Sequence, residues 1–318
     1  MKLSTILITL ISLFLNSNTG LSRPSSQGIP NGIIVENISS ALPYETYEQW
    51  IQHLKKEITF EEREFRKQFP PENFEEYKDK IQCPFDTYEE WVQTLRRRWQ
   101  RRSTSKSRLA EEERQFRRKY PHEEFERFRK EIDYAKFKYM SDGFKVACFV
   151  LTPRDAAGKK LPVIIYNRGG HHEVAAIDLM KLLSFRTLVS EGYVLVAGQY
   201  RGGPDSEGND EIGGADVNDV LNLIPLIESL PYTDASRIGM FGWSRGGMMT
   251  YIALTKTDRI SAAIIGAGPA DITTVGQKRS SMEEEVLSRF VSDYARNREE
   301  ILKSRSAIYW PEKLHTRQ

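Results

Sequence analysis

The segment from Arg237 to Thr250, Arg-Ile-Gly-Met-Phe-Gly-Trp-Ser-Arg-Gly-Gly-Met-Met-Thr, constrains this chain more than any other. Ile238 to Phe241 is a short apolar run suited to a buried strand, and Met248 to Leu254 continues as a helix-compatible segment. Between them lies Gly242-x-Ser244-x-Gly246. This frame fits a nucleophile elbow, a turn so tight that its neighbours must lack bulky side chains if the serine oxygen is to stand exposed above a sheet. Ser244 is therefore the candidate nucleophile, and Gly242 and Gly246 are the positions that make room for it. By composition alone such a pattern occurs in roughly one chain in ten of this length. The strand before it and the helix after it are what give it weight.

A chain of 318 residues can hold one large domain with a smaller companion, or two domains. With 39% hydrophobic and 28% charged residues and a formal net charge of +2, it is neither wholly disordered nor broadly polycationic, so function must come from a site. Cys83 and Cys148 are too few for a disulfide scaffold, and their spacing suits no metal motif. Neither a disulfide nor a metal is expected.

Lys2 followed by the mostly apolar, uncharged run Leu3 to Leu15 and the small, polar stretch Asn16 to Ser22 reads as a cleaved signal peptide over residues 1–22. The apolar run is shorter than the roughly 20 residues a spanning helix needs. The mature chain is therefore expected outside the cytoplasm, secreted or periplasmic; an uncleaved anchor is the alternative. Residues 23–43, rich in Ser, Pro, Gly and Asn, read as a flexible leader.

Residues 44–134 are charged and aromatic, lack glycine, and repeat apolar residues at helical spacing, as in Trp50, Ile51, Leu54 and Ile58. An internal repeat runs through them. Tyr47-Glu48-Gln49-Trp50 returns as Tyr88-Glu89-Glu90-Trp91, and Phe65 to Pro70 returns as Phe116 to Pro121, which fits two helical hairpins. The repeated aromatic residues read as packing residues. The basic stretch Arg96 to Arg108 invites a nucleic-acid or membrane-surface role, but acidic runs at Glu89-Glu90 and Glu111 to Glu113 flank it. Paired charges on a solvated face account for it, and no nucleic-acid partner is expected.

From Tyr139 strands and helices alternate, as in an α/β domain with a mostly parallel sheet. Strands are placed at Phe144 to Thr152, Pro162 to Tyr166, Tyr193 to Tyr200, Arg237 to Phe241 and Ala262 to Gly266. Helices fall near Ile177 to Ser190, Ala215 to Ser229, Gly246 to Thr255 and Ser281 to Ala295. Ligands of such sheets bind at the carboxyl ends of the strands. Asn167 to His172, Tyr200 to Gly203, Ser244 and Gly268 to Asp271 all lie there.

Ser141-Asp142-Gly143, Tyr166-Asn167-Arg168-Gly169-Gly170, Gln199-Tyr200-Arg201-Gly202, Asp210-Glu211-Ile212-Gly213-Gly214-x-Asp216-Val217-x-Asp219-Val220 and Gly242-Trp243-Ser244-Arg245-Gly246-Gly247 together carry a resemblance. From about Tyr139 onward the chain resembles the peptidase domain of the prolyl oligopeptidase family of serine hydrolases. The resemblance implies an α/β-hydrolase fold, Ser244 as nucleophile, and acyl transfer from a peptide or small ester without metal or organic cofactor. Family members usually carry a β-propeller before the hydrolase domain; here the helical region stands in that place.

A serine nucleophile needs a base, and its tetrahedral intermediate needs donors fixed where charge develops. The backbone N–H of Arg245 is one expected donor. The loop from Asn167 to Gly170 is expected to supply the other, with Asn167 and Gly169 as candidate oxyanion-hole residues. His171 and His172 precede the serine, whereas this fold orders its triad Ser, then Asp or Glu, then His, so neither is assigned a catalytic role. Asp271 reads as structural, and His315, the sole later histidine, falls where the family approaches a strand. Measured against the family, residues 139–318 form a hydrolase domain that lacks its last strands and the Asp and His of the triad, leaving Ala262 to Gly266 as an exposed edge open to self-association. Three readings follow: a serine hydrolase whose given chain is incomplete, a secreted binding or scaffold protein retaining the fold without catalysis, and a hydrolase completed by a second chain.

Overall fold

A computed structural model describes residues 30–39, 42–44, 46–52, 117–118, 121–275, 282–314 and 316. The chain divides into two units, Tyr44–Glu126 and a unit made of Met1–Pro43 with Arg127–Gln318. Residues 1–22, expected as a signal peptide, together with Cys83, the stretch Arg96 to Arg108, the second copy of the Tyr-x-x-Trp repeat and His315, lie outside the described residues.

In the first of these units, Thr46 and Gln49 form a reciprocal cap. The Gln49 N–H donates to Thr46 Oγ1 at 3.1 Å and the Thr46 N–H donates to Gln49 Oε1 at 3.1 Å, starting a helical turn. Tyr47 and Trp50 on that turn are buried, and Trp50 stacks on Phe125 with ring centroids 5.6 Å apart. These aromatic residues of the repeat are packing residues, as their spacing suggested.

The larger unit is built on a sheet whose described strands are β1 (Ile34–Ser39), β2 (Ile132–Ser141), β3 (Phe144–Pro153), β4 (Leu161–Asn167), β5 (Val194–Gly198), β6 (Thr233–Trp243) and β7 (Ile260–Gly266). Their order is β1-β2-β3-β5-β4-β6-β7. The first pairings, through β3 with β5, are antiparallel, and β5, β4, β6 and β7 run parallel. This is the expected α/β-hydrolase arrangement. β5 reads Val-Leu-Val-Ala-Gly and is buried at every position, because a central parallel strand is covered on both faces. Each large aliphatic side chain buried there contributes roughly 1.5–3 kcal/mol.

Two strands correct the sequence reading. Residues 34–39, expected within a flexible leader, form β1, and the expected helical region ends before Ile132 because Ile132–Ser141 is β2. β1 is half exposed and, among the described strands, pairs with β2 alone, so its strand character comes from that docking. In β2, Lys136 and Lys138 alternate with Phe137 and Tyr139. The lysines pair with Asp205 at 2.5 Å and Glu36 at 3.2 Å while the aromatic residues are buried.

After α1 (His122–Glu131), the expected helix Ile177 to Ser190 is two, α2 (Leu179–Leu183) and α3 (Arg186–Ser190), and the expected helix Ala215 to Ser229 is likewise two, α4 (Val217–Leu221) and α5 (Leu223–Ser229). Pro225 lacks the N–H that would continue the ladder, and is tolerated only in the first turn of a new helix. The helix after the serine, α6, spans Arg245–Leu254. In place of one helix from Ser281 to Ala295 there is a π-helical segment, Met282–Leu287, a short turn to Phe290, and a separate helix, Tyr294–Ser304. β7 is the outermost described strand on its side of the sheet, and Ile264 on it is 68% exposed. Cys148 is a free thiol buried in β3.

Candidate active site

The register of two parallel neighbours builds the site. β4 pairs with β6 so that Asn167 lies beside Gly242, and the loop after β4 therefore begins next to the turn after β6. Ser244, at that turn, has φ 54° and ψ −122° and its side chain is exposed. A serine held there carries roughly 1–3 kcal/mol of backbone strain. Hydrogen bonds on both sides hold it. Its N–H donates to Gly266 O at the end of β7 at 2.8 Å, and its carbonyl accepts from the Gly247 N–H at 2.8 Å.

The glycines around Ser244 leave no room for a side chain. A β-carbon on Gly242 would overlap the Gly246 carbonyl and Thr250 Oγ1, and one on Gly246 would overlap the backbone of Asn167 and Arg168. Gly169 lies against the nucleophile: a β-carbon there would sit 3.2 Å from Ser244 Cβ and 3.8 Å from its Oγ. The Arg245 N–H, first in α6, finds no acceptor among the described residues. An unpaired donor at a helix N-terminus favours negative charge beside it.

Asn167 is placed differently from the other candidates. It is fully buried, and its amide donates to Thr250 Oγ1 at 2.8 Å and to Met240 Sδ at 3.8 Å. Both donors of its side chain are thus engaged beneath α6, so Asn167 fixes the start of the loop and offers no side-chain donor at the mouth. Backbone of the glycine pair remains for that purpose. Ser244 Oγ makes no hydrogen bond with a described residue. The His171 ring lies 5.1 Å from that of Phe290, and burial holds its pKa below the usual histidine value. Asp271 accepts from the Thr273 N–H at 2.8 Å and shapes its own turn.

Beneath the loop lies a buried charge network. Arg245 projects a buried guanidinium onto Asp210, at 2.7 Å, and onto Asp216, and both carboxylates are fully buried. Burial alone would raise the Asp210 carboxyl, but the Arg245 charge and the N–H groups of His172 and Ile212 hold it below its ordinary value. Asp216 behaves oppositely. Burial, with Asp210 and Asp219 adding to it, pushes this carboxyl up to about 6 against the pull of Arg245. Further along, Arg201 binds Asp219, which also accepts from Ser141 Oγ at 2.5 Å. Burial pushes the Asp219 carboxyl up despite that partner. In the sequence these residues stand within the motifs that carry the family resemblance, and nothing in their spacing marks them as one buried network.

Comparison with known proteins bears on the same region. Residues 180–313 match the prolyl oligopeptidase family. The resemblance drawn from the motifs therefore holds, and the matched segment contains Gly242, Ser244, Arg245 and Gly246, whereas Asn167 and Gly169 precede it. The uncharacterised peptidase YtmA of Bacillus subtilis is 27% identical over 145 residues, covering 45% of this chain and 54% of that protein. Dipeptidyl-peptidase 5 of Porphyromonas gingivalis is 30% identical over 132 residues, 39% of this chain and 19% of that one. Among solved structures, the acylaminoacyl peptidase of Pyrococcus horikoshii aligns at a TM-score of 0.49 and 23% identity, covering 59% of this chain and 32% of that one. The chain thus spans about half the length of the first of these relatives and about a fifth of the second.

Proposed function

We propose that this chain is a serine-type peptidase-like hydrolase in which Ser244 takes the acyl group of a peptide or small ester. The observation that carries the reading is Ser244 exposed on a strained elbow, with Gly169 against its side chain and the unpaired Arg245 N–H next to it in the chain. In the reaction, Ser244 Oγ bonds to the substrate carbonyl carbon while its proton passes to a histidine, and the carbonyl oxygen becomes an oxyanion. Collapse breaks the bond to the leaving amine or alcohol, which takes that proton, and water then hydrolyses the acyl-enzyme. The Arg245 N–H and a backbone N–H of the Gly169-Gly170 pair stabilise the oxyanion; one such donor is worth roughly 2.7–4 kcal/mol.

The histidine that would take the proton is not in contact with Ser244 among the described residues. In this reading it comes from outside them or from a second copy, for which the edge of β7, which no other described strand covers, offers a place to associate. The run Leu3 to Leu15 behind Lys2 supports action outside the cytoplasm, secreted or periplasmic. Family likeness supports peptides as the substrate class.

The test is to treat the purified chain with a fluorophosphonate and to weigh it intact, with Ser244→Ala as control. An adduct on the wild type that is missing from the variant is the expected result. A folded wild-type chain that takes no adduct would overturn the reading and favour a fold retained for binding.

A further inference from the structure

We propose that the buried guanidinium of Arg245, with Asp210 and Asp216, is a positioning unit that locks the peptide planes of the loop after β4 against the elbow. Its catalytic consequence rests on the reading of Ser244 given above. The geometry is specific. Arg245 Nη1 donates to Gly170 O at 2.9 Å and to Asp210 Oδ2 at 2.8 Å, and the same Asp210 oxygen accepts from the His172 N–H at 2.8 Å. Asp216 holds the other side of the guanidinium and accepts from the Gly213 N–H at 3.0 Å. One residue thus supplies a backbone donor at the elbow and grips, with its side chain, the loop expected to supply the second donor.

Arg168 grips the same loop. Its Nη1 donates to Gly169 O at 3.2 Å and its Nη2 to His172 O at 2.8 Å, while its own carbonyl accepts from Tyr200 Oη at 3.1 Å. The carbonyls of residues 168, 169, 170 and 172 are therefore all engaged. Because each peptide is planar and trans, fixing a carbonyl fixes the N–H that follows it, on the opposite side. Rotation of any of these peptide planes would break a hydrogen bond to a buried charge or hydroxyl. The N–H directions of Gly169, Gly170 and His171 are set in this way before any substrate arrives.

Stability does not explain such a cluster. Two carboxylates and a guanidinium taken out of water cost several kcal/mol each in desolvation, and apolar residues of similar volume are often as stabilising or more so. A cation in the first turn of α6 also opposes the helix dipole. An apolar trio could fill the space, but it could not direct the Gly170 carbonyl and the His172 N–H. Orientation of the loop is what the charges add.

The test combines hydrogen exchange of the full chain, read on peptides covering residues 166–176, with the rate of fluorophosphonate labelling at Ser244. Asp210→Asn is expected to speed exchange in the loop by about tenfold or more, leaving the β3 and β5 peptides at wild-type protection. It should also slow labelling by a similar factor. Arg245→Lys, which keeps the charge but not the fork, should give a smaller change in both, and serves if Asp210→Asn does not fold. Unchanged loop exchange in a folded variant overturns the proposal, as does a loosened loop that labels at the wild-type rate. A wild type that does not label refutes the function of Ser244 but not the clamp, which loop exchange then decides alone.

Discussion

Gly169→Ala separates the site from the fold. The added methyl would stand 3.1 Å from the Trp243 carbonyl oxygen, 3.2 Å from Ser244 Cβ and 3.8 Å from Ser244 Oγ. Relief requires shifts of a few tenths of an ångström, an overpacking cost at the low end of roughly 1–3 kcal/mol. Gly169 does not lie at positive φ, so alanine fits its backbone and recovers about 0.4–1 kcal/mol through the unfolded chain. The net change in stability is therefore within about 1 kcal/mol, a melting shift of no more than roughly 2–4 °C. Reactivity should respond far more. The methyl occupies the approach to Ser244 and displaces the backbone donors beside it, so labelling by a fluorophosphonate should slow by about 10²–10³-fold. Gly246→Ala is the contrast, because its methyl meets the backbone of β4, which cannot yield, and stability should fall with reactivity. If Gly169→Ala labels at the wild-type rate while melting normally, the placement of the oxyanion beside Gly169 is wrong.

Ser244→Gly should relieve the strain at φ 54° and raise stability by about 1 kcal/mol or more in urea unfolding, while abolishing labelling. With Asp216 pushed from 3.8 up to about 6 in the folded chain, the fold binds a proton across that interval that the unfolded chain has released. Its contribution therefore lowers stability as pH rises from about 4 to about 6, and unfolding midpoints across that range should show a weaker decline in Asp216→Asn than in the wild type. The Cys148 thiol, buried in β3 and pushed up to about 12, should escape alkylation at pH 8 in the native chain and react once urea unfolds it; peptide mapping by mass spectrometry distinguishes it from Cys83.

The elbow was legible in the sequence because its chemistry is local. A strand, a turn that only glycine neighbours permit, and a helix lie within the segment from Arg237 to Thr250, and no distant residue is needed to recognise them. The parallel strands were legible for a similar reason, since burial on both faces leaves apolar runs such as that of β5. β1 was not, because Ile34–Ser39 is an ordinary half-exposed segment until the edge of β2 pairs with it. β2 did show its alternation, but its lysines and aromatic residues continue the composition of the preceding helical region, and composition masked the period. The split at Pro225 was written in the sequence as well, in a residue that cannot continue a helix.

For the candidate site, the sequence by itself determined the turn that carries Ser244 between strand and helix and the glycines that permit it. Only the tertiary structure decided what each neighbour does. The amide of Asn167 turns under α6 because Thr250 is there to receive it, and Arg245 reaches Asp210 and Asp216 because the segment carrying them folds back beneath the loop. Spacing along the chain carries no record of such meetings. They arise when the β4–β6 register brings the ends of two strands together, and the residues that then share a buried volume must satisfy one another's charges and hydrogen bonds.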